Sequence, residues 1–108
     1  MIKPSKVVFI SDELEKDFYS LKYDDPIKKA MVRAIQELRE NAFAGIQIPK
    51  KLIPKEYIQK YSINNLWKYD LPRGWRLMYT VTTDNEVELI SAILEWYDHK
   101  GYERRFKY

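Results

Sequence analysis

Leu66 to Leu71 and Trp75 to Thr82 are two strand-like runs separated only by Pro72-Arg73-Gly74. A joint that short makes the second run fold back antiparallel on the first, so the centre of the chain is a β-hairpin. Period two places Trp75, Leu77, Tyr79 and Val81 on one face and Arg76, Met78 and Thr80 on the other. Thr83-Asp84-Asn85 reads as a second turn, followed by a long strand from Glu86 to Tyr97. In that strand Val87, Leu89, Ser91 and Ile93 alternate against Glu88, Ile90, Ala92 and Leu94. Both of its faces turn apolar towards the end, as for a central strand covered on one side by helices.

The N-terminal half has a different period. Lys6 to Ile10 is a short β-branched run that meets Ser11-Asp12-Glu13, where a serine cap and two carboxylates suit the positive end of a helix. Leu14, Phe18 and Leu21 carry that helix to about Tyr23. Asp25-Pro26 opens a second helix, with Ile27, Ala30, Met31, Ala34, Ile35 and Leu38 on one face and Gly45 as its expected stop. Pro49 and Pro54 interrupt residues 46 to 65, where 54 to 61 has room for one or two helical turns. The segment reads as a connector, with enough apolar residues to pack on the core. The expectation is one α+β domain over 1–108: two N-terminal helices packed on a curved antiparallel sheet, in the order β-α-α-β-β-β, with a short helical C-terminal tail after Asp98.

Composition narrows the chemistry. The chain has 108 residues, 45% of them hydrophobic and 15% aromatic, enough for one packed core. It lacks cysteine and has a single histidine, which removes disulfides and thiolate catalysis and argues against a dedicated metal site or other cofactor. Without an apolar run of membrane-spanning length or a signal-peptide pattern, the expected setting is cytoplasmic, with no membrane partner. The net charge of +3 is unevenly spread. Residues 46 to 79 hold seven cations against two carboxylates, 80 to 96 none against four, and 97 to 108 four against two. Folding that unites the two basic blocks makes a face suited to a polyanion; the alternative is an ordinary mixed surface.

The element order, and the run Leu66-Trp67-Lys68-Tyr69-Asp70-Leu71-Pro72-Arg73-Gly74-Trp75-Arg76-Leu77-Met78-Tyr79, resemble the RelE/ParE superfamily of type II toxin–antitoxin toxins. In that superfamily an apolar strand, a tight turn and an RLxY-type strand form the middle of the sheet. The tail His99-x-x-Tyr102-x-Arg104 is similar to the C-terminal HxxY pattern of RNA-cleaving members. The resemblance implies an endoribonuclease, an mRNA interferase that cuts messenger RNA on the ribosome and inhibits translation. It also implies neutralisation by a cognate acidic antitoxin, the toxin being monomeric or part of a toxin–antitoxin hetero-oligomer. Arg76 matches the arginine of the RLxY strand, and His99, Tyr102 and Arg104 match the tail. The same scaffold also serves gyrase-binding toxins of the ParE kind and would suit a non-catalytic RNA-binding regulator.

Metal-free RNA cleavage needs a base at the 2′-hydroxyl, an acid at the departing 5′-oxygen and fixed positive charge at the phosphate. His99 is the proton-transfer candidate, because an imidazole ordinarily titrates near neutrality. Arg76 is the candidate clamp for the phosphate, unless it is spent on an ion pair with an acid such as Glu88. Tyr102, one turn from His99 in a helical tail, either contacts RNA or anchors the tail with Phe106. Lys68, Arg73, Lys100, Arg104, Arg105 and Lys107 are the expected phosphate-binding cations. Trp67, Tyr69, Trp96 and Tyr97 read as core or sheet-face residues.

Overall fold

The computed structural model describes residues 2–83 and 88–107. Strand β1 (Ser5–Phe9) leads into α1 (Asp12–Ser20) and α2 (Pro26–Glu40), and β2 (Ile46–Gln47) and one 3-10 turn (Lys50–Leu52) precede α3 (Lys55–Tyr61). Strand β3 (Trp67–Asp70), β4 (Arg76–Thr83) and β5 (Leu89–Tyr97) follow, and α4 (His99–Phe106) ends the chain. The protein is α+β. Among the described residues five strands form one sheet in the order β1-β5-β4-β3-β2. The sheet is mixed, which corrects the expectation of a purely antiparallel one: β1 runs parallel to β5, while the other neighbours are antiparallel. Parallel pairing requires a crossover, and α1 with α2 supplies it.

The caps legible in sequence form as expected. Ser11 Oγ accepts from the Leu14 amide at 3.1 Å, and Asp25 Oδ1 from the Ile27 amide at 2.8 Å with Pro26 in the first turn. Helix α2 turns Ala30, Met31, Ala34 and Leu38 inward against Leu77, Tyr79 and Ile93. It ends at Glu40 rather than Gly45, because Asn41 already takes extended backbone, and α1 ends at Ser20, short of Tyr23. Gly45 has another task. A Cβ there would lie 2.5 Å from the Lys68 carbonyl oxygen and 2.7 Å from the Tyr79 hydroxyl, so only glycine lets this backbone approach the sheet.

Tyr79 fixes that approach, accepting from the Gly45 amide at 3.0 Å and donating to the Ala42 carbonyl at 2.9 Å. Burial pushes its hydroxyl up to about 12, so it stays neutral and able to donate. Tyr79→Phe would strand both backbone groups. We expect it to cost about 1–3 kcal/mol, read as a lower urea midpoint at unchanged slope.

The connector at 46 to 65 is more ordered than its sequence suggests. It adds an edge strand and α3, and it closes a second core on the sheet face opposite α1 and α2. There Ile48, Ile53, Tyr57 and Leu66 pack with Met78, Leu94, Tyr97 and Tyr102. Helices therefore cover both faces, and the element order gains β2 and α3. The turn expected at Asp84 and Asn85 and the first two residues of the last strand, Glu86 and Val87, lie outside the described residues.

One irregularity decides where the tail goes. Met78 pairs with Glu95 but Tyr79 pairs with Ile93, leaving Leu94 as an extra residue in β5. This β-bulge turns both Leu94 and Glu95 towards the second core and resets the alternation beyond them. Trp96 then packs with the α1 side, and Tyr97 faces α4.

Candidate functional site

The site forms where α4 starts. Asp98 follows β5 and caps the helix, its Oδ1 accepting from the Gly101 amide at 2.8 Å. Tyr97, just before it, stands opposite Arg76 at the start of β4, so the tail begins beside the hairpin turn. A Cβ built on Gly74 would lie 3.3 Å from the His99 Cβ. Arg73, in that turn, is exposed and holds left-handed backbone at φ 60°, an arrangement that costs a non-glycine residue roughly 1–2 kcal/mol.

Beneath this rim, Lys68 on β3 and Arg76 on β4 share the face that α4 covers. The Lys68 Nζ lies 5.4 Å, and the Arg76 Cζ 5.2 Å, from the centroid of the Tyr102 ring. Two cations converge on one aromatic face. Asp70, directly across from Arg76 in the β3–β4 register, places Oδ1 3.0 Å from the Arg76 Nε and 3.9 Å from the Lys68 Nζ. The Arg76 partner is therefore Asp70 rather than Glu88, which lies just before β5 at the far end of the sheet. The ion-pair distance is short, yet the Nε–H is not aimed at the carboxylate and, although buried, has no hydrogen-bond acceptor among the described residues. Asp70 holds the guanidinium by charge while leaving its hydrogen-bonding capacity underused.

His99 and Tyr102 sit three residues apart on α4 but point differently. The His99 side chain is 60% exposed, with Nε2 3.0 Å from Glu103 Oε1. Tyr102 is only 6% exposed, stacked on Phe106 at 4.5 Å and tilted against Tyr97 at 6.3 Å. Its ring is thus a buried floor for the two cations and an anchor for the tail.

The remaining candidate cations divide. Lys100 is exposed in the first turn of α4, near His99. Arg104, Arg105 and Lys107 gather at the other end, facing α3. Arg105 reaches Glu95 at 3.2 and 3.3 Å, and Lys107 reaches Glu56 at 3.5 Å. The hydrogen bond to Glu95 strengthens the hold of Arg105 on its proton, and a backbone hydrogen bond together with Lys107 lowers the Glu56 carboxyl.

Asp70 and Glu103 belong to this site although neither stands out in sequence. The signal for Glu103 is its i, i+4 spacing from His99; that for Asp70 is its hairpin register against Arg76. Trp67, which stacks on Tyr79 at 6.1 Å, and Trp96 pack against the first core, whereas Tyr97 lies buried in the second. Burial pushes the hydroxyls of Tyr57 and Tyr97 well above the ordinary phenol range, so neither supplies a base at neutral pH. Among the described residues no three His, Asp or Glu side chains are grouped as a metal would require. Nor is any helix there long and apolar enough to cross a membrane.

Compared with protein-family models, with curated proteins and with solved structures, the chain matches none. A functional reading therefore rests on the residues themselves.

Proposed function

We propose that this protein is a RelE-like toxin of a type II toxin–antitoxin system, an endoribonuclease that cleaves messenger RNA by attack of a 2′-hydroxyl on the adjacent phosphate. The observation that carries the reading is the convergence of Lys68 and Arg76 on the Tyr102 ring, beside a turn that abuts His99.

The chemistry follows from these positions. A neutral His99 that donates from Nε2 to Glu103 keeps its Nδ1 lone pair free to take the 2′-hydroxyl proton. The 2′-oxygen then bonds to phosphorus as the bond to the 5′-oxygen breaks, leaving a 2′,3′-cyclic phosphate. The 5′-oxygen departs with a proton from water or from the imidazolium. Negative charge builds on the phosphoryl oxygens, and Arg76 and Lys68 are the fixed charges placed to meet it. Only a small movement is needed for a phosphate to compete with Asp70, since the Arg76 Nε–H lacks an aligned acceptor. Arg73 and Lys100, at the rim, hold the flanking backbone. An acidic antitoxin segment that folds over the same cations would silence the site.

Adding wild-type and His99→Gln protein to a translation extract and mapping messenger RNA ends tests this reading. Cuts made by the wild type and lost in the variant are expected, in register with codons if the ribosome presents the substrate. Intact RNA alongside accumulating relaxed plasmid would replace it with the gyrase-directed alternative.

A further inference from the structure

The far end of α4 forms a second feature that the cleavage chemistry does not use. A cleft of about 310 Å³ opens between α3 and α4 over the end of β5. That is at the lower end of the range for small-ligand sites, room for a single nucleotide rather than a folded partner. Two of its acids are already engaged, Glu95 by Arg105 and Glu56 by Lys107. Lys60 and Arg104 also line it, and among the described residues neither has a carboxylate at ion-pair distance. The cleft therefore holds unspent positive charge. Its walls include Tyr57 and Tyr61, whose rings lie 5.9 Å apart, with the Lys60 Nζ 5.3 Å from the Tyr61 centroid. The wall is braced by the buried Tyr57–Tyr97 hydroxyl pair at 2.5 Å and by the Arg105 guanidinium 5.5 Å from the Tyr97 ring. Free cations beside a half-buried aromatic face are what a phosphate and its base require.

We propose that this cleft binds one nucleotide of the RNA strand being cut, at a distance from the scissile phosphate set by the length of α4. The inference rests on the ribonuclease reading and extends it to a second subsite. His99 opens α4 and the cleft is lined by Arg104, Arg105 and Lys107 at its other end, so the two stand about 8–12 Å apart along the axis, a span that a short stretch of single strand crosses. Lys60, in a segment that reads as a mere connector, becomes a determinant of RNA binding.

The test measures binding of single-stranded RNA oligomers of increasing length, 2′-O-methylated so that cleavage is blocked, to wild type, Lys60→Glu and Lys55→Glu. The last makes the same charge change on α3 outside the cleft, and both lysines are exposed, so folding is not at stake. Wild-type affinity should step up once the oligomer is long enough to reach the cleft. Lys60→Glu should lose about tenfold in that step and lower the salt slope by about 0.7. Lys55→Glu should keep the step, and the shortest bound oligomers should bind all three proteins alike. Equal losses in the two variants, or a step untouched by Lys60→Glu, would overturn the subsite while leaving the ribonuclease reading intact. A free mononucleotide that binds without competing against long RNA would overturn it too. No binding of any oligomer, with no cleavage of unmodified RNA, would remove both.

Discussion

His99→Ala is expected to slow RNA cleavage by about 10²–10⁴-fold, the usual contribution of a positioned acid–base group. Its stability should stay within about 0.5 kcal/mol of wild type, as for an exposed surface substitution. The imidazole is mostly solvated, and its side-chain partner among the described residues is the half-exposed Glu103. Alanine keeps the Cβ, which lies 3.3 Å from where a Cβ on Gly74 would stand, so the packing beside the turn is unchanged. Activity and folding are thus separable at this position. Single-turnover cleavage under matched folding conditions checks the prediction. A loss below threefold would remove His99 from the chemistry and leave the tail as a docking element.

The second large effect is expected at Gly101. A Cβ there would sit 2.7 Å from the Tyr97 Cβ and 3.2 Å from its Cγ. These atoms lie close to the β5 backbone and cannot swing aside as the tip of a long side chain can. Alanine would recover up to about 1 kcal/mol of helix propensity against the clash, whereas valine recovers less and adds volume. Gly101→Val should therefore destabilise the protein by about 3 kcal/mol, lowering Tm by about 12–24 °C. Cleavage should fall with it even well below Tm, because His99 and Tyr102 ride on the displaced helix. A variant that melts with the wild type would mean that α4 is not seated on β5 through this contact.

These two positions show how unevenly the molecule can be read from its residues. The inner face of α2 was legible because local periodicity and the Asp25-Pro26 start both report on it, and the β3–β4 hairpin because three turn residues allow one return path. A helical tail after Asp98 was expected as well, and the structure shows Asp98 capping it. What escaped was non-local. The parallel seat of β1 against β5 depends on a crossover that no short window contains. Residues 46 to 65 lack a clean period because they are broken by prolines and packed piecewise against the second core. At the site, residue types nominated the candidates but not how the fold groups them. Arg76 met Asp70 instead of Glu88, Tyr102 became a floor, and Arg104, Arg105 and Lys107 moved to a separate cleft.

The extra residue in β5 gives the fold a vulnerability to changes in length rather than in composition. Beyond Leu94 every side chain faces the way it does because one unit was added to the strand. One more residue inserted after Glu95 would keep all the apolar content and every candidate catalytic group. It would nevertheless direct Tyr97 towards α1 and α2 and launch the terminal helix from the wrong side of the sheet. The number of residues between Ile93 and His99 therefore sets where the histidine stands as much as its identity sets what it can do.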